Sequence, residues 1–307
     1  SRLDATISNG RRNSSATTFL NPALKRDNIK LQKNILVEKI FLENDRAVGI
    51  EVNEKGQKYR IEAEKEIILS AGALNSPQIL MLSGIGPADH LRNIGSNVSH
   101  DLPGVGQNLQ DHATVSISWE CLKEFEAHKI DRPINKMMAG IKWIITRKGL
   151  AASNHFEAGG LIRGNDNVKY PNLQYHFGPT GFDYIGGKFK LSQAFTLQLD
   201  QLRPHSKGYL KLKSLNPKDS PEIKLNYFKD PRDIKELTEG VKKMRELVSQ
   251  PVFDKFRGKE ISPGSEIQSD SEIEQAIRLN TITDYHQCGT CAMGTDVNSV
   301  VDSEMRV

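Results

Sequence analysis

The chain has 307 residues, 37% hydrophobic and 26% charged, with a net charge of +4. That length can hold one large or two ordinary domains with a real core, and scattered basic residues at so small a net charge argue against a nucleic-acid partner. No apolar run approaches the roughly 20 residues of a membrane-spanning helix, and three cysteines do not make a disulfide framework, so a reducing compartment is the default.

Residues 1–28 are polar and turn-rich, with Asn9-Gly10 as a turn signal; Arg11 and Arg12 read as solvated charges. Between 29 and 69, the short runs Asn34–Leu42, Ala47–Val52 and Tyr59–Ala63 are separated by Glu43-Asn44-Asp45 and Asn53-Glu54-Lys55-Gly56, which predicts a β-meander. Ile67-Ile68-Leu69 predicts a strand buried on both faces. Ala71-Gly72-Ala73 then carries almost no side chains, so another group can approach its backbone. Ser76 as cap and Pro77 in a first turn predict a helix that Gly84 stops. This platform could carry a cofactor ring. Gly84-Ile-Gly86 and Gly104-Val-Gly106 lack the third glycine and the strand–helix setting of a phosphate loop and read as turns. His112 reads as a hydrogen-bonded structural histidine.

The character changes near residue 116. Ile134, Met137, Met138, Ile141, Ile144 and Ile145 recur at helical spacing up to Gly149, and the methionine pair reads as core. Leu173–Phe177, Phe195–Leu199 and Leu210–Lys213 alternate with period two, which predicts an antiparallel sheet covered on one side. Asp230-Pro231 opens an amphipathic helix with Ile234, Leu237, Val241, Met244, Leu247 and Val248 as its buried stripe and Pro251 as its end. Ser269 and Glu272 form a capping box for another helix through about Leu279. With no repeat or flexible linker, the domains read as interleaved.

Cys288-Gly-Thr-Cys291 lacks the further ligands that zinc needs and reads as two packed thiols, with no metal expected. Three ordered blocks carry a family resemblance: Gly72–Gly86, Asp101–His112 and Tyr285–Gly294. Together they resemble the glucose–methanol–choline (GMC) flavoenzymes. The resemblance implies an α/β (α+β) fold. A partial FAD-binding domain would take 1–115, an antiparallel-sheet substrate-binding domain backed by helices 116–280, and an active-site segment returning to the FAD domain 281–307. It implies FAD as cofactor, with Val37, Ala71 and Gly72 at its site. It implies oxidation of a small-molecule alcohol, with hydride passing to the flavin and His286 taking the hydroxyl proton, a task suited to a base of near-neutral pKa. Gln287 stands where the family usually has proline, whose ring would fix the backbone. The sequence does not give the electron acceptor.

The stretches Asn154–Arg163 and Asn172–Phe177 resemble the choline-oxidising branch of the family. On that resemblance Glu157 and the face of Phe156 would hold a quaternary ammonium, with a structural ion pair as the other reading of Glu157. Another alcohol or sugar as substrate, or a non-catalytic binding module on the same fold, are the alternatives. No G-x-G-x-x-G opens a strand–helix unit. The chain therefore reads as an internal portion of a longer enzyme, with the pyrophosphate-binding half and a second catalytic residue lying beyond it.

Overall fold

The computed structural model describes residues 4–156, 158–185 and 188–307. The chain divides into two compact units: Ser1–Lys30 with His112–Arg203 and Pro231–Asp284, and Leu31–Asp111 with Pro204–Asp230 and Tyr285–Val307. Both are therefore built from separated stretches of sequence.

In the first unit, strands Arg257–Ser262, Ala113–Cys121, Ala194–Gln201, Leu173–Gly178 and Ala158–Ile162 lie side by side in that order, and Ile282–Thr283 also pairs with Ala113–Cys121. All pairings are antiparallel. Register decides what each face carries. Leu197 is opposite Ile117 and Phe177, and Leu199 opposite Val115 and Tyr175, so one face is apolar. The helix Pro231–Val248 buries Ile234, Leu237, Val241, Met244 and Val248 and packs on this sheet. Gly240 permits the close approach: a Cβ there would sit 2.6 Å from a methyl of Leu199. The following helix, Asp270–Asn280, starts at the expected capping box, in which Ser269 and Glu272 exchange hydrogen bonds.

Asn9 and Gly10 both adopt positive φ and join strands Ile7–Ser8 and Arg11–Arg12 in a two-residue hairpin. Arg11 and Arg12 are both exposed, as read from the sequence, and the Arg11 guanidinium also lies 5.9 Å from the ring centre of Trp143. The helix Pro133–Thr146 forms where the spacing predicts it but ends at Arg147, which takes the left-handed conformation two residues before Gly149. The core assignment of Met137 and Met138 is overturned: they are 53% and 56% exposed. Helical periodicity reveals that a helix has an apolar face, and not which way that face points.

The second unit contains the predicted meander as strands Leu36–Glu43, Arg46–Glu54 and Gln57–Glu62. Positive φ at Asn44, Asp45, Lys55 and Gly56 turns the chain between them. Its core gathers Ile40, Ile79, Leu80, Met81, Ile85, Leu91, Val105, Leu210, Leu212 and Val300. Leu210 reaches it because Tyr209–Lys211 pairs with Glu222–Lys224 rather than joining the large sheet. Ile67–Leu69 is not a strand. Ile68 is 80% exposed while Ile67 and Leu69 rest against the core, and none of the described residues pairs with this segment. A strand buried on both faces needs a sheet to lie in and a layer covering each face.

The helix expected to start at Ser76 starts at Gly72 and runs to Leu82, with Pro77 buried inside it. A proline there cannot donate to the carbonyl four residues back, which is that of Ala73. Instead the hydroxyl of Thr290 donates to this carbonyl at 2.6 Å. Ser76, displaced from the cap, accepts from the Ala71 N–H. We expect Thr290→Val to destabilise the protein by about 1–3 kcal/mol through a buried acceptor left unpaired. Adding Pro77→Ala should recover most of that loss, since the new N–H reaches the same carbonyl. Denaturant unfolding of the two single variants and the double variant measures the coupling, and strict additivity would remove this account.

Candidate active site

The second unit draws together the three blocks singled out in the sequence, the middle one as far as Asp111. Thr290 ties the last block to the first through Ala73, and its carbonyl accepts from the Gly106 N–H at 2.9 Å, which adds the middle block. Gln110 and Cys288 exchange a pair of backbone hydrogen bonds, both 2.9 Å. Asn108 donates from its amide to the Gly289 carbonyl. Gly104 and Gly106 are close-approach positions: Cβ atoms would fall 2.0 Å from the Asn298 carbonyl oxygen and 2.3 Å from that of Leu210.

Asp111, 3% exposed, organises the segment around His286. Its Oδ1 accepts from the His286 N–H at 3.0 Å. Its Oδ2 accepts from the Tyr227 hydroxyl at 2.5 Å and from the Gln287 side-chain amide at 3.2 Å. Tyr285 adopts φ 60°, a conformation costly for a bulky residue unless its surroundings hold it; the Asp111 bond to the next N–H supplies part of that hold. Gln287 therefore offers by hydrogen bonding a restraint that proline would offer covalently. His286 is exposed.

Gly72 and Ala71 lie at the start of the 72–82 helix, whose first turn has no side-chain cap. Gly72 is exposed with φ 83°, and a Cβ there would meet nothing within 4 Å. Small side chains, open space and an uncapped helix start with its positive dipole end fit a flat, electron-accepting ring of the flavin type. Val37 is half-buried in strand Leu36–Glu43, against which this helix packs. The strand register shifts between Val37 and Lys39, which frees backbone groups at that point from regular pairing.

The two cysteines differ. Cys291 is half-buried, and burial pushes its thiol up to about 11, which makes it a poor nucleophile. Cys288 is exposed, contrary to its reading as a packed thiol, because its backbone rather than its side chain joins the Gln110 pairing.

Glu157 lies outside the described residues. Phe156 belongs to the first unit, with ring centres 5.1 Å from His155 and 5.6 Å from His176. His176 and Asp200 are the residues the sequence reading passed over. Both occupy the second face of the large sheet, with Thr114, Ser116, Thr196 and Gln198. His176 Nε2 lies 3.2 Å from Asp200 Oδ2, and Asp200 Oδ1 accepts from the Thr114 hydroxyl at 2.8 Å. Asp200 and Thr114 are fully buried. The hydrogen bond to Asp200 raises the His176 pKa against the opposing cost of burial, and the charges of Asp200 and Asp284 raise it further. Gln198 in turn donates to Asp284. The available signal was the alternation itself, which puts both residues on one face.

The architecture is that of known flavoprotein oxidases. The chain resembles pyridoxine 4-oxidase from Mesorbium loti with a TM-score of 0.82 at 26% identity, covering 98% of this chain and 55% of that one. It resembles formate oxidase from Aspergillus oryzae with a TM-score of 0.89 at 24% identity, covering 98% and 57%. Family models described as GMC oxidoreductase match residues 3–114 and 204–307, and the chain belongs to this family. Among curated proteins it is 43% identical to the mitochondrial choline dehydrogenase of Homo sapiens, over 99% of this chain and 52% of that protein. It is 42% identical to the oxygen-dependent choline dehydrogenase of Brucella ovis, over 99% and 56%. The chain thus spans about half the length of the curated relatives it matches.

A raised histidine pKa favours the imidazolium in the folded protein. The stability it contributes is fully present below the unfolded histidine value of about 6.5 and is lost as pH rises through the folded value. NMR titration of the His176 ring should give a midpoint above that of an unfolded histidine, and Asp200→Asn should lower it while keeping the Thr114 bond. A midpoint unmoved by Asp200→Asn would mean that the carboxylate does not hold the ring.

Proposed function

We propose that these residues serve FAD-dependent oxidation of an alcohol at its CH–OH carbon, with choline as the alcohol. The observation that carries this reading is the convergence of three sequence blocks in one unit, with a Gly72 helix start open to a flat ring and a histidine segment laced down by Asp111 and Thr290. When bound, FAD supplies the hydride acceptor. Val37, Ala71 and Gly72 would hold it, the last two by leaving room for its ring. His286 takes the hydroxyl proton onto a ring nitrogen, which readies the carbon to give up its hydride. Asp111 keeps the backbone at His286 and the Gln287 side chain in place, so that the ring starts from a restricted set of positions.

The unit containing residues 31–111 carries the flavin side of the chemistry. The large sheet of the other unit carries the substrate side, with Phe156 and Glu157 supplying an aromatic face and a negative charge to the quaternary ammonium. The identity to proteins named choline dehydrogenases supports choline. A second reading, an uncharged alcohol, has its own observation: His176, paired with Asp200 and beside the Phe156 ring, offers hydrogen-bonding groups that suit a neutral hydroxylated substrate.

In the FAD-loaded protein, His286→Ala should slow flavin reduction by roughly 10²–10⁴-fold with flavin content unchanged, as measured by anaerobic stopped-flow absorbance. Near-normal single-turnover reduction would take His286 out of the mechanism. Glu157→Gln keeps size and hydrogen bonding but removes the charge. It should raise KM for choline far more than for the uncharged isostere 3,3-dimethylbutanol. Equal losses on both substrates would assign Glu157 to structure, and wild-type activity on the isostere alone would favour the second reading.

A further inference from the structure

Two guanidinium groups share one indole where the 7–12 hairpin meets the end of the 133–146 helix. The join is close. Trp143 Nε1 donates to the Gly10 carbonyl at 2.6 Å. A Cβ on Gly10 would fall 2.1 Å from the Arg147 carbonyl oxygen, so hairpin and helix end meet backbone to backbone. Arg147 holds φ 57° there, and its guanidinium stacks 4.4 Å from the Trp143 ring centre. The Arg11 guanidinium lies 5.9 Å from the same centre. Stacking on the ring attracts each cation, but an indole carries no net charge and cannot neutralise two of them.

The two segments bring no negative charge of their own. The sequence has no Asp or Glu from 5 to 26 or from 132 to 156. Arg147 Nη1 is buried with no acceptor among the described residues. A buried charged donor without an acceptor is among the costlier features a fold can keep. The chemistry that answers it is an oxyanion. A guanidinium is a planar fork that takes two oxygens at once, and it pairs with carboxylate or phosphate. A carboxylate has two oxygens in one plane and fills one fork. The tetrahedral oxygens of a phosphate can serve two forks that are not coplanar. We propose that Arg11 and Arg147, set about Trp143, form a binding site for a phosphate group. The proposed alcohol oxidation uses none of these three residues, so the inference goes beyond that reading and is independent of the alcohol oxidised.

The test is isothermal titration calorimetry of the FAD-loaded protein, whose flavin phosphates are already bound, with inorganic phosphate, glycerol 3-phosphate, acetate and chloride at one ionic strength. We expect saturable binding of the two phosphates and weaker binding of acetate and chloride. The indole N–H resonance of Trp143 should move with the same midpoint. Arg147→Met and Arg11→Met should each weaken phosphate binding at least about tenfold, less than the worth of one charge-assisted hydrogen bond. Circular dichroism and flavin content should not change, since methionine keeps an unbranched stem against the indole. Arg147→Lys keeps charge and stem but loses the fork, and it should weaken binding as well, which keeps the test open if Arg147→Met does not fold. Arg12 pairs across the hairpin with Ile7 and Arg11 with Ser8, so their side chains leave opposite faces, and Arg12→Met should leave the affinity unchanged. Protein that takes up no phosphate overturns the proposal, as does binding that survives both Arg147 variants. Equal weakening by Arg12→Met would mean general attraction to positive charge and would overturn it too. Acetate bound as tightly as phosphate overturns the ligand class. With the site upheld, the tighter of inorganic phosphate and glycerol 3-phosphate shows whether it takes the free anion or an ester.

Discussion

A missing N–H is the constraint on which the rest of the second unit depends. Pro77 inside the 72–82 helix leaves the Ala73 carbonyl without its helical donor, and Thr290, more than 200 residues later in the chain, supplies the replacement. A buried acceptor cannot go unpaired cheaply. The helix that opens at Gly72 and the segment that carries His286 are therefore fixed to one another by necessity rather than by general packing. Asp111 extends this by bonding the His286 N–H and the Gln287 amide. An open helix start and a candidate base thus belong to one hydrogen-bonded body.

The first unit solves a different problem. An alternating antiparallel sheet ordinarily turns its polar face to water. Here Thr114 and Asp200, on that face, are fully buried; Asp200 Oδ1 accepts from the Thr114 hydroxyl, and Oδ2 lies 3.2 Å from His176 Nε2. Polar contacts in a water-poor setting are electrostatically strong, which holds these three side chains in one arrangement. The apolar face, closed by the 231–248 helix, supplies the stability against which that network is held.

The elements whose evidence is local were legible in the sequence. The meander turns, the Ser269–Glu272 capping box and the 231–248 stripe all formed where short-range chemistry placed them. What failed had a partner elsewhere. Ile67–Leu69 has the composition of a doubly buried strand, but no pairing strand is present among the described residues. Ser76-Pro77 has the signature of a helix start, and only Thr290 makes an interior proline tolerable there. Residues 133–146 show a clear helical period, while Trp143 and its hydrogen bond to Gly10 decide which side turns inward. His286 could be picked out because its neighbours in sequence resemble a family segment. His176 and Asp200, on different strands, become a pair only once register is known.

Connectivity carries one more consequence. The chain passes from one unit to the other at residues 30–31, 111–112, 203–204, 230–231 and 284–285. The first unit's sheet takes in Ile282–Thr283, and the second unit's hydrogen-bonded body takes in Thr290. As the polypeptide leaves the ribosome, neither unit can close until synthesis has reached this late stretch. Most of the earlier chain must wait with its apolar surfaces uncovered. The histidine segment is synthesised after the helix and the loop to which it is bonded, which ties closure of the second unit to the delivery of the residue proposed to do its chemistry.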